Sequence, residues 1–169
     1  EAGMDDVFTV VPNGQVKKIG EEVYEINIAR YSDYVKLFKT LQEQDRFPRY
    51  IVHNLCYDLF IEDEKTLSLQ LERGIYSLFH CAKALTAGKI KKPVDLFFIF
   101  PGSVDDPQPQ YQAAAGFFKT LAKENPKLRF KALMCKNLST PSIARSIEQE
   151  MIAGNTGEIK IMYADNDRY

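Results

Sequence analysis

The chain of 169 residues is poor in the features that usually declare a chemistry. No glycine-rich turn follows any of its expected strands. Its nine glycines are scattered singly, and none makes G-x-G-x-x-G or G-x-x-x-x-G-K-[ST]. Without such a turn a backbone cannot come close to a pyrophosphate at a helix N-terminus. Cysteine is scarce: Cys56, Cys81 and Cys135 are odd in number and far apart, which excludes a disulfide framework. With two histidines, they also show no zinc-ligand spacing. They read as reduced core thiols of a cytoplasmic protein. Neither sign of charge is in excess, with 22 basic and 23 acidic residues mixed along the chain. That argues against a nucleic-acid partner, which needs a concentrated basic surface. The longest apolar run, Leu96 to Phe100, is far too short to span a bilayer, and no secretion signal opens the chain. No membrane partner is expected.

What is present is an alternation of strand and helix. Phe8 to Val11 and Val23 to Ile28 are short β-rich runs, with Pro12-Asn13-Gly14 as a turn between them. A helix over about Ser32 to Gln44 carries Tyr34, Leu37, Phe38 and Leu41 on one face, with Ser32 or Asp33 available as cap. Tyr50 to His53 reads as a strand covered on both sides. A long helix follows, about Glu64 to Ala87, with the stripe Leu71, Ile75, Leu78, Ala82 and Leu85, and Gly88 ends it. Val94 to Phe100 is the most hydrophobic segment and the expected central strand. Next come a helix over about Gln110 to Glu124, a strand at Leu128 to Cys135, and a helix opened by Thr140 as cap and Pro141 at its first position. Gly154 ends that helix, and Glu158 to Tyr163 is the last strand.

From Tyr50 onward this is β-α-β-α-β-α-β, which demands a parallel sheet flanked by helices. The fold class is therefore α/β: truncated Rossmann-like, mostly parallel. One domain is expected over residues 1–169, with N-terminal β-strands in 1–30 and a Rossmann-like core in 50–169. The opening Glu1-Ala2-Gly3-Met4 suggests a fragment of something longer.

Several segments, in order, resemble a known family. Ile51-Val52-His53-Asn54-Leu55, then Arg73-Gly74-Ile75-Tyr76-Ser77-Leu78, then Lys83-Ala84-Leu85 are similar to the structural subdomain of polyketide synthase ketoreductases. Pro109 to Pro126 resembles that family's A-x-x-G-x-x-x-x-L-x-x-E-x-P helix through Ala113, Gly116, Leu121, Glu124 and Pro126. Glu158 to Tyr163, followed by Arg168-Tyr169, is similar to its E-V-R-Y-x-x-G-x-R-Y-V ending. The chain departs from the pattern at Asn54-Leu55-Cys56, where leucine, tryptophan and a small residue are usual.

The resemblance implies a noncatalytic half that stabilises a catalytic half of short-chain dehydrogenase type in the same polypeptide. That half would hold NADPH and reduce β-ketoacyl groups on an acyl carrier protein. The parent would be a multifunctional polyketide synthase of antibiotic biosynthesis, both transferase and oxidoreductase, with phosphopantetheine on its carrier. The chain itself would bind no cofactor and be inactive alone. Its partners would be the catalytic half, neighbouring synthase domains and the carrier protein. Tyr163, Arg168 and Tyr169 are the expected contacts between halves. The alternatives are a free-standing Rossmann-like nucleotide-binding enzyme, or a spacer domain without a catalytic partner.

Each candidate for chemistry has a plainer reading. Ser103 and Tyr111 follow a central strand in the order a short-chain dehydrogenase uses, but the helper lysine or asparagine falls at Ala115, which cannot relay a proton. Tyr111 then reads as a packing aromatic. His53 and Cys56 sit at a strand end. His80 and Cys81 are helix neighbours pointing about 100° apart, so neither faces the other. Asp105 and Asp106 lie where α/β folds take ligands, and equally suit a solvated loop. Lys89, Lys91 and Lys92 could meet an acidic carrier, or complement a helix dipole. A phosphate grip could come only from Gly102-Ser103 or from Gly154-Asn155-Thr156-Gly157.

Overall fold

The alternating runs pair into two sheets in the computed structural model, which describes residues 7–88, 90–164 and 167–169. Contacts group the chain into two compact units, one of Glu1–Phe47 and Phe79–Lys89, the other of Pro48–Leu78 and Ile90–Tyr169. In the first, β1 (Thr9–Pro12) lies parallel to β3 (Val23–Ile26) and β2 (Lys17–Lys18) antiparallel to it. At two residues, β2 is too short to show alternation, so the sequence pattern misses it. Helix α1 (Tyr31–Glu43) buries Tyr34, Leu37, Phe38 and Leu41, the expected stripe. Its capping differs from expectation. Arg30 is the N-cap, Ser32 and Asp33 lie inside the first turn, and Asp33 Oδ2 accepts the Asn27 amide at 3.1 Å.

In the second unit the sheet order is β4 (Tyr50–His53), β5 (Val94–Pro101), β6 (Leu128–Cys135), β7 (Lys160–Ala164), β8 (Asp167–Arg168). The first four are parallel, as expected, and β8 returns antiparallel on β7. All eight residues of β5 are buried, as its unbroken apolar run requires. β4 was expected to be covered on both sides. It is an edge strand instead, and Val52 is 41 % exposed.

The long helix is continuous but not regular. α2 (Glu64–Leu71) passes through a π turn (Glu72–Tyr76) into α3 (Ser77–Ala87), and the π turn widens the helix at Gly74. α4 (Pro109–Glu124) follows β5, and α5 (Thr140–Ala153) follows β6. The N-cap of α5 is Ser139 rather than Thr140, so Pro141 stands at the second helical position rather than the first.

Phe118 stacks on Phe130 at 4.4 Å and meets Phe98 edge-on at 6.3 Å, which puts α4 on the even-numbered face of β5 and β6. Ile143 of α5 packs instead with Phe97, Ile99, Leu133 and Ile161 on the odd-numbered face. Both crossovers step the same way along the sheet, so helices on opposite faces give them opposite hands. One of the two therefore breaks the right-handed rule for parallel crossovers.

Candidate functional site

In an open α/β sheet, ligands are taken at the C-terminal ends of the strands. Here that rim is built from the loop after β4, the loop after β5 and the start of α4. Gly102, at φ 145°, lets the chain leave β5 sharply, and a Cβ there would lie 3.1 Å from Met134. The next turn closes on itself: the Ser103 amide donates to the Asp106 carbonyl at 3.2 Å, and Ser103 Oγ accepts the Asp106 amide at 3.1 Å. Asp106 Oδ1 accepts from Gln108 Nε2 at 3.0 Å, while Asp105 is exposed. Ser103 and Asp106 are thus spent on loop structure.

Gln108 is fully buried and joins a chain of glutamines. Its Oε1 accepts the Phe60 amide at 2.6 Å and Gln110 Nε2 at 3.2 Å. Gln110 Nε2 also reaches Gln70 Oε1 at 3.3 Å, and Gln70 Nε2 donates to the Leu59 carbonyl at 2.7 Å. Buried amides in a connected network hold one backbone geometry. They fasten the loop after β4 onto the start of α4. Sequence reasoning missed all three glutamines, although Gln70 and Gln110 stand beside apolar stripe positions.

The same helix start makes a poor anion grip. Pro109 has no amide, and the Tyr111 and Gln112 amides both donate to the Gln108 carbonyl at 3.0 Å. Gly154 to Gly157 lies at the C-terminal end of α5, whose dipole repels anions.

Tyr111 is buried against Phe98 and Phe100, with its hydroxyl donating to the Asp58 carbonyl at 3.3 Å. A Cβ on Gly74 would lie 2.9 Å from the Tyr111 ring, so the glycine in the π turn is what admits that ring. Burial, with Cys56 and Asp58 nearby, drives the phenol pKa up. A proton-donating tyrosine needs the opposite shift.

His53 Nε2 lies 2.7 Å from Ser77 Oγ, and Ser77 Oγ donates to the Arg73 carbonyl at 2.6 Å. With its single proton committed there, the hydroxyl accepts from His53 Nε2–H, and the imidazole is neutral. Burial pushes the His53 pKa down to about 4. His80 is lowered as well, by burial and by Lys83. All three thiols are raised by burial: Cys56 strongly, Cys81 up to about 12, and Cys135 up to about 11. A nucleophilic cysteine needs a lowered pKa and a basic neighbour. Among the described residues no group of three His, Cys, Asp or Glu side chains could hold a metal ion. Lys91 and Lys92 are exposed, and Lys89 lies outside the described residues.

The expected interface residues gather around a carboxylate that the sequence did not single out. Glu150 of α5 is buried and accepts from Lys131 Nζ at 2.6 Å, Tyr163 OH at 2.6 Å and Arg168 Nε at 2.7 Å. Burial alone would raise its pKa, but these hydrogen bonds and the Lys131 charge hold it below the usual carboxylate range. Tyr163 is accordingly raised, by burial and then by Glu150. Arg168 also binds Glu158, so β8 is pinned to β7 and α5. Tyr163 is buried, and Arg168 and Tyr169 are exposed, while the Tyr169 backbone pairs with Met162. Among the described residues no helix is long and apolar enough to cross a membrane.

The chain is similar to an N-terminal ketoreductase from the macrolactin assembly line, at 25 % identity and a TM-score of 0.82, covering 92 % of this chain and 32 % of that one. It is also similar to an adenylation, ketoreductase and pseudo-Asub multidomain structure of a keto acid-selecting NRPS module, at 20 % identity and 0.81, covering 96 % and 14 %. An alcohol dehydrogenase from the archaeon Thermococcus sibiricus shares the fold at 13 % identity and 0.63, covering 87 % and 76 %. The chain thus spans about a third of the first ketoreductase chain. No curated protein matched. The ketoreductase resemblance read from the sequence holds for the fold as well. Residues 2–153 match the family model described as beta-ketoacyl synthase-like, N-terminal, and the chain belongs to that family.

Proposed function

We propose that this chain is the noncatalytic structural subdomain of a ketoreductase in a polyketide synthase. It stabilises, within the same cytoplasmic polypeptide, a catalytic half that uses NADPH to reduce β-ketoacyl groups on a carrier protein. The observation that carries this is its similarity over 92 % of its length to an assembly-line ketoreductase. The local chemistry supports it. The Tyr111 phenol is raised rather than acidified, Ala115 stands where a proton relay would be, and the Tyr111 and Gln112 amides at the start of α4 are already used. Condensing chemistry, which the family's description brings to mind, would need a cysteine thiolate, and burial raises all three thiols. Arg168 and Tyr169 are the exposed members of the expected interface trio, and Tyr163 and Arg168 hold the hairpin that presents Tyr169.

The test is calorimetric titration of NADPH into the chain alone and into the chain mixed with the catalytic half of its parent synthase. Binding and β-ketoacyl reduction are expected only in the mixture. Saturable NADPH binding to the chain alone would overturn the proposal.

A further inference from the structure

Asparagine side chains close several turns of this chain, and one of them does so differently. Asn27 Oδ1 accepts the Ala29 amide at 3.0 Å, and Asn125 Oδ1 the Lys127 amide at 3.2 Å. Asn137 holds the Ser139 amide at 2.8 Å and Asn155 the Gly157 amide at 3.3 Å. Each reaches past its neighbour to the amide two residues on, as in an Asx turn. Asn13 does not. Its Oδ1 accepts the amide of the very next residue, Gly14, at 2.7 Å. With a C=O bond of about 1.23 Å, that contact brings the Gly14 nitrogen within about 4 Å of Asn13 Cγ. Holding a nucleophile that close to a carbonyl carbon removes part of the entropic barrier to their reaction.

The neighbour is also the least obstructive one. Gly14 has no side chain to hinder ring closure, and a Cβ there would meet nothing within 4 Å. Ile28, Leu55, Leu138 and Thr156 follow the asparagines at 27, 54, 137 and 155, and Pro126 after Asn125 has no N–H to ionise. Residues 12–15 are exposed between β1 and β2, so water reaches the turn. Among the described residues no backbone carbonyl holds the Gly14 amide. The Asn13 amide, by contrast, donates to the Ile26 carbonyl at 2.7 Å and fixes the residue at the end of the β1–β3 ladder.

We propose that Asn13 is a self-modifying site, where the folded β1–β2 turn converts the asparagine to aspartate and isoaspartate with water as the co-reactant. The Gly14 nitrogen gives its proton to solvent and attacks Asn13 Cγ. The new N–Cγ bond forms, the Cγ–Nδ2 bond breaks, and Nδ2 leaves as ammonia with a proton from water. Water then opens the cyclic imide. Cleavage of the N–Cγ bond gives aspartate. Cleavage between the Gly14 nitrogen and the residue 13 backbone carbonyl gives isoaspartate, whose main chain runs through Cβ and Cγ. Nothing is oxidised or reduced. Both products add a negative charge. Isoaspartate also lengthens the turn into β2, which joins β3 only through Lys17 with Glu25 and Lys18 with Tyr24. The reaction needs neither a partner nor the role proposed above.

The test is peptide mapping by mass spectrometry of the 169-residue chain after weeks at neutral and at mildly alkaline pH. Asn13 is expected to convert about tenfold or more faster than Asn27 and Asn137, and faster still at the higher pH, because the nitrogen must lose its proton. A peptide of residues 10–16 supplies the rate without the fold, and the folded chain is expected to match or exceed it. Gly14→Ala puts a methyl into open space, so it should keep the thermal melt while slowing conversion several-fold. Conversion at Asn13 no faster than at Asn27 and Asn137, or slower than in the peptide, would overturn the proposal. A folded Gly14→Ala chain that converts at the unaltered rate would overturn it as well.

Discussion

His53 offers the sharpest test of the electrostatics at the strand ends. Its ring is buried, with Nε2 donating to Ser77 Oγ and Nδ1 without a partner, and burial pushes its pKa down to about 4. In the unfolded chain the imidazole titrates near 6.5. The folded value is the lower one, so the unfolded state binds more protons between these limits. Stability is then full above pH 6.5 and is lost as pH falls toward 4. The gap corresponds to about 3 kcal/mol in all, of which about 2 kcal/mol is lost between about pH 7 and pH 5, above most carboxylate titrations. Urea unfolding at half-unit steps across that range measures it. His53→Leu is the reference: Ser77 keeps its Arg73 carbonyl, and the variant retains the smaller contribution of His80, which has the same sign. The unaltered chain should lose about 2 kcal/mol more than His53→Leu on going to pH 5. Parallel pH dependences, or an imidazole NMR titration of His53 centred above 6, would refute the neutral buried assignment.

Two further outcomes follow from the same packing. Glu150→Ala strands the buried Lys131 and should cost about 3–5 kcal/mol in chemical denaturation. Adding Lys131→Met should recover much of that, because the desolvated charge is then gone. The Glu150 contribution is present above the ordinary carboxylate pKa and is lost as pH falls through its lowered one. Gly74→Ala places a methyl 2.9 Å from the Tyr111 ring and should destabilise by about 1–3 kcal/mol, visible as a lower melting temperature. Gly74→Ala combined with Tyr111→Leu should be milder than the sum of the two, since both act on one contact.

The match between sequence pattern and structure is best where the information is local. Leu128 to Cys135 emerges as a strand with both ends as read, and the α1 stripe of Tyr34, Leu37, Phe38 and Leu41 is buried as its spacing requires. Gly88 and Gly154 end their helices where expected. Even Gly74, read only as part of a family-like run, sits where a ring needs it. Burial of β4 on both sides was misread, because four apolar-leaning residues look alike on an edge and in a sheet interior.

What the sequence by itself determined is the order of strands and helices and the face each helix buries, since 3.6- and two-residue periodicities are properties of neighbouring residues. What only the tertiary structure decided is where the polar groups go. Glu150 finds Lys131, Tyr163 and Arg168 from three separate segments, and the Gln70-Gln108-Gln110 chain joins residues up to 40 positions apart. The opposite hands of the α4 and α5 crossovers are likewise invisible in any one segment. The reason is physical. An apolar side chain needs only a dry face, whereas a buried charge or amide needs particular partner atoms at hydrogen-bond distance, and only the folded chain brings those together.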